Sequence, residues 1–164
     1  MAANEAELLR LLEVHLSVHG FKRNKKTWYL ESDECYSVIE LDKGTWRTFY
    51  YLELTVVLKA FKMDAKLSNN EGEILGWDVE LLMPDPLNIR TALTLADTSM
   101  TNKEKDALIV TALEEYAIPF LKRVSALEGL KEELRQNKRM RYHTSAALWE
   151  HLQLDVPREP PLDE

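Results

Sequence analysis

His15 and His19 stand four residues apart, a spacing that stacks two imidazoles on one face of a helix, where they could hold a transition metal. Leu16 follows His15 where a zincin helix carries Glu, and no third ligand suggests itself, so two histidines at a helix and sheet boundary outweigh a metal centre. Paired with a strand carboxylate such as Glu53, either histidine could instead do acid–base work in a pocket between helix and sheet. Lys22, Arg23, Lys25 and Lys26 place four cations in five residues beside Trp28 and Tyr29, a pattern that could hold phosphates while the rings stack on bases. A turn whose solvated cations complement the first helix explains the same residues, and Lys138, Arg139, Arg141 and His143 repeat the ambiguity later in the chain.

Residues 64–85 carry Asp64, Glu71, Glu73, Asp78, Glu80 and Asp85 against Lys66 alone. These carboxylates could bind a divalent cation or meet a basic partner, and the partner surface is the favoured functional reading. Cys35, the only cysteine, has no neighbouring base and reads as a small buried hydrophobe. The chain contains no G-x-S-x-G elbow, no G-x-G-x-x-G and no P-loop, which argues against the hydrolases and nucleotide enzymes built on them. No cofactor is implied.

The elements that must position these residues follow from periodicity. Asn4 and Glu7 form a capping-box-like start, and Leu8, Leu12 and Leu16 recur at helical spacing up to Gly20, so the first helix is expected over 5–19. Its apolar side holds Leu8, Leu11, Leu12, Leu16 and Val18. Thr27–Glu31, Cys35–Lys43 and Thr48–Lys59 are β-branched and aromatic runs joined by short turns, and Trp77, Val79 and Leu81 alternate with acids in a fourth strand after a loop over 63–75. In the third run Tyr50, Leu52, Leu54, Val56 and Leu58 are expected to face the core.

Leu87–Ala96 is equivocal because its threonines weaken a helix. Thr101 and Glu104 open a helix that Pro119 should kink, Ser125 and Glu128 repeat the cap signature before a helix to about Gln136, and Gly129 is its weak point. Thr144–His151 reads as a last turn or two. The fold class expected is α+β: an N-terminal helix on a four-stranded antiparallel meander, followed by C-terminal helices. One domain spans 1–154, and 155–164, with three prolines, forms a flexible tail.

Gly20-Phe21-Lys22-Arg23, Trp28-Tyr29, Phe49-Tyr50-Tyr51-Leu52 and Pro119-Phe120-Leu121, in that order and spacing, make the chain resemble the bacterial domain of unknown function 4304 family over about residues 5–135. That resemblance implies a small α+β fold and supplies no catalytic residues. Members often carry Gln at the end of the second strand, where this chain has Asp42.

Among 164 residues, 45% are hydrophobic and 30% charged, enough apolar surface for one core. A net charge of −7 opposes binding to nucleic acid or anionic lipid. A lone cysteine and the lack of an apolar leader or span lead us to expect a cytoplasmic protein. The leading functional expectation is a non-enzymatic interaction module with an acidic surface, of an immunity or antitoxin type. The alternatives are a histidine–carboxylate pocket and a nucleic-acid binder using Lys22–Lys26.

Overall fold

A computed structural model describes residues 4–44, 49–61, 74–137, 140, 144 and 146–155. Helix α1 spans Glu5–Val18, with Asn4 accepting the Glu7 amide as the capping pattern predicts. Leu8, Leu12 and Leu16 are its buried seam, whereas Val18 is 76% exposed. The apolar stripe is therefore narrower than expected, with Val18 in the last turn facing solvent. Gly20 then takes φ +87°, a left-handed geometry that glycine adopts without steric cost, and turns the chain into the sheet.

Five antiparallel strands follow in chain order: β1 (Lys22–Asn24), β2 (Thr27–Glu31), β3 (Cys35–Lys43), β4 (Tyr50–Leu58) and β5 (Ile74–Asp78). The strand absent from the sequence reading is β1. Its Lys-Arg-Asn sequence has poor strand propensity, and pairing with β2 through a tight turn, with Lys25 at φ +57°, overrides it. The expected fourth strand is real but shifted: it begins at Ile74 and ends at Asp78, where the Asp78 carboxylate accepts the Glu80 amide and starts a 3-10 turn over Val79–Leu82. Glu80 and Leu81 consequently lie outside the sheet.

The Asp85-Pro86 pair resolves the equivocal segment in favour of a helix. Asp85 caps the amides of Leu87 and Asn88, and Pro86 occupies the first turn, where its missing N–H costs nothing. Helix α2 runs over Pro86–Leu93 and is closed from another element: the ammonium of Lys105, 1% exposed, donates to the carbonyls of Thr94 (3.0 Å), Leu95 (3.1 Å) and Asp97 (2.5 Å). Helix α3 (Asn102–Thr111) begins with the expected Thr101–Glu104 capping box.

Pro119 does distort the helix after α3, and the distortion is a π-turn over Ala112–Ala117 that leads into α4 (Ile118–Val124). Proline has no N–H and crowds the carbonyl four residues back, at Glu115, so the preceding turn widens; the Ile118 amide reaches back five residues to Leu113.

Helix α5 (Leu127–Gln136) departs from its expected cap. Ser125 donates to the Lys122 carbonyl instead, Ala126 is the N-cap residue, and Glu34, from the β2–β3 turn, accepts the Leu127 amide at 2.9 Å. Gly129 is a requirement rather than a weakness, since a Cβ there would overlap the Arg123 carbonyl of α4. Helix α6 covers Ala146–His151.

The described helices share one core with one face of the sheet. Trp28, Ile39, Leu52, Leu54 and Val56 join Leu8, Leu12 and Leu16 of α1, and Leu113, Phe120, Leu121 and Leu130 of the C-terminal helices, in one core. The even positions of β4 supply that face, as alternation predicts. Polar bonds tie the layers: Trp28 Nε1 donates to Glu13 at 2.8 Å, Tyr50 Oη to Glu5 at 2.6 Å, and Ser32 Oγ to the Ser125 carbonyl at 2.8 Å. Among the described residues, no helix is long and apolar enough to cross a membrane.

Candidate functional site

Among the described residues, the sheet face turned away from the helices carries a row of carboxylates. Strand register sets Glu40 of β3 opposite Glu53 of β4, and Glu53 opposite Asp78 of β5, so three carboxylates form a row across adjacent strands. Like charges directly opposite destabilise an antiparallel pair. Among the described residues no cation bonds to Glu40 or Glu53. Burial first, then the neighbouring Glu53 and Asp42, raises the Glu40 carboxyl above its ordinary range. Burial and Asp42 do the same to Glu53.

Asp78 is pushed up to about 6, chiefly by burial, with the Glu80 amide and Arg90 working in the opposite direction. Glycine at 76 leaves room for this row, since a Cβ there would come within 3.2 Å of Glu53 Oε1. Asp42 borders it and accepts the Tyr51 hydroxyl at 2.9 Å, which raises that phenol to about 12. Val38 and Val57 are buried on this face, outside the main core.

Of the six acids singled out in the sequence, Asp64, Glu71 and Glu73 lie outside the described residues. Asp78 belongs to the row. Glu80 is held by the Arg90 guanidinium at 2.6 and 3.1 Å, and Asp85 caps α2. Among the described residues, Asp78 is the one of the six that joins the band of carboxylates across β3, β4 and β5. Glu40 and Glu53 are legible as positions opposite the core face once alternation is applied, but their adjacency depends on register, which the sequence alone does not fix.

The histidines do converge on a carboxylate, and it is Glu114 of the π-turn rather than Glu53. His15 Nδ1 lies 3.0 Å from Glu114 Oε1, and His19 Nε2 lies 2.7 Å from Oε2. Each ring grips a different oxygen, the arrangement of a clamp; no group of three or more His, Cys, Asp or Glu side chains among the described residues is placed to hold a metal. Glu114 is 99 residues from His15, so no local spacing could have revealed it.

In the basic turn, Lys26 pairs with Glu5 at 2.6 Å, while Arg23 stacks over Trp28 at 5.2 Å and approaches Glu13 at 3.8 Å. Two of the four cations are thereby bonded to α1, along its body rather than at its C-terminal end; Lys22 and Lys25 remain exposed. A polar cleft of about 340 Å³ lies nearby, its lining including Gly20, Lys22, Tyr29, Asp33 and the pair Lys59 and Glu31, which are bonded at 2.7 Å. The cleft includes neither histidine. Cys35 is buried, and burial pushes its thiol up to about 11, which leaves little thiolate for chemistry. Lys138, Arg139, Arg141 and His143 lie outside the described residues.

A helix layer on one face of a five-stranded antiparallel meander, with a carboxylate row on the other, defines an α+β protein. The chain belongs to the family described as Domain of unknown function (DUF4304), whose model matches residues 12–123. No curated protein matched the chain in a comparison of sequences. Nor did any solved structure match it.

Proposed function

We propose that this protein is a non-enzymatic interaction module that binds a basic protein through the outer face of its sheet, in the manner of an immunity or antitoxin protein masking a cationic effector. The observation that carries this reading is the Glu40–Glu53–Asp78 row. A folded chain retains there three mutually repelling carboxylates, raised by burial and, among the described residues, without a bonded cation on Glu40 or Glu53, although neutral residues would fold more comfortably. A cationic partner would relieve the repulsion, and long-range attraction would speed the encounter at low salt.

The test compares the wild-type chain with Glu40→Gln/Glu53→Gln/Asp78→Asn as bait in native lysate at low and high salt. A partner retained by the wild type at low salt and lost from the variant supports the reading. Equal capture by both baits overturns it. An acid–base reading finds its histidines bonded to a carboxylate but with the polar cleft elsewhere. A nucleic-acid reading retains only half of its basic turn unpaired.

A further inference from the structure

The His15–Glu114–His19 cluster joins α1 to the π-turn through a single carboxylate, and its two arms differ. An ionised carboxylate only accepts hydrogen bonds, so each ring must present an N–H to it: His15 through Nδ1 and His19 through Nε2. The second nitrogen of His19 is also committed. His19 Nδ1 lies 3.3 Å from Lys122 Nζ of α4, and an ammonium only donates, so Nδ1 must accept. His19 is therefore bonded as a neutral ring from both sides. His15 has no described partner for Nε2, and 27% of its side chain reaches solvent.

A proton can be added to His15 Nε2 without breaking a bond, and it converts the contact with Glu114 into an ion pair. The same proton on His19 would set an N–H against the Lys122 ammonium. We propose that these residues form a proton-operated latch between α1 and the C-terminal helices, in which His15 takes up the proton and Lys122 holds His19 in its neutral Nε2–H form.

Among the described residues, the remaining surroundings do not offer a competing partner. Arg23, the charged group reaching α1 from β1, bonds at Glu13, and from α3 no charged side chain bonds either ring among the described residues. Glu114 stays ionised through mild acid, because the hydrogen bonds from His15, and then from His19, hold its carboxyl below the usual range. The π-turn supplies the geometry, since Glu114 is its third residue and the turn exists because of Pro119.

The test uses His15→Asn, whose amide places a donor where Nδ1–H stands but cannot take up a proton. Melting temperatures of the wild type and this variant should agree at pH 8 and separate by roughly 2–4 °C at pH 5.5, with the wild type the more stable. The sheet carboxylates titrate in both proteins and cancel in the difference. Nitrogen-15 spectra of the imidazoles give an independent reading from the wild type alone: His15 should become the cation on acidification while His19 remains the Nε2–H tautomer, and Lys122→Met should allow His19 to titrate with it. A melting difference that is the same at both pH values overturns the latch. So does a His19 ring that takes up its proton together with His15 in the wild-type protein.

Discussion

Single side chains decide more of this fold than their exposure to view in the sequence suggests. Lys105 reads as one more charge on an amphipathic helix, yet its ammonium closes the end of α2 through three carbonyls. Methionine would fill the same space and leave those acceptors without a donor. Lys105→Met should therefore cost about 3 kcal/mol, measured as a lower urea midpoint with an unchanged slope. Glu53 should behave in the opposite way. It stands between Glu40 and Asp78, so Glu53→Gln removes repulsion on both sides, and its melting temperature should rise by roughly 2–4 °C in thermal unfolding near pH 7. What was legible at this scale was residue type and local spacing: the His15–His19 pair, the Asn4 and Thr101 caps, the inert Cys35. Partners far along the chain, Glu114 for the histidines and Glu34 for the α5 amide, were not, because only the folded chain brings them near.

Secondary elements were legible wherever one signal dominated. Leucines at helical spacing gave α1, and alternation gave the core face of β4. Strand β1 stayed hidden because pairing, not propensity, makes it a strand, and β5 was displaced because the Trp77-Asp78-Val79-Glu80-Leu81 alternation continues into a turn that Asp78 has already begun. Gly129 shows the same contest in a helix: propensity marks it as a defect, while the approach of α5 to the Arg123 carbonyl demands it. Gly129→Ala, which improves propensity by up to about 1 kcal/mol, should nonetheless destabilise the protein by roughly 2 kcal/mol or more, as calorimetric or chemical unfolding would report. Stabilisation by that substitution would mean that α5 does not lie against α4 as described.

For the whole molecule, two sets of carboxyls oppose each other as pH changes. Glu40, Glu53 and Asp78 are raised, so the folded state holds protons that the unfolded chain has already released; the stability they contribute is full below their ordinary values of 4.5 for Glu and 3.8 for Asp, and is lost as pH rises through their raised values, about 6 for Asp78. Glu5, Asp97, Glu104 and Glu114 are lowered by hydrogen bonds and ion pairs, so their contribution is present above the ordinary range and is lost as pH falls below it. Melting temperature should therefore peak in mild acid and decline toward neutrality, and Glu40→Gln/Glu53→Gln/Asp78→Asn should flatten the decline, which scanning calorimetry from pH 4 to pH 8 would follow. The strand order adds a consequence in time. Because each strand pairs with its neighbour along the chain, the sheet can close on the ribosome once residue 78 has emerged, while Phe120, Leu121 and Leu130, which cover its apolar face, are still unsynthesised. Until they appear, α1 alone shields that face, so the nascent chain passes through an interval in which chaperone capture competes with its own completion.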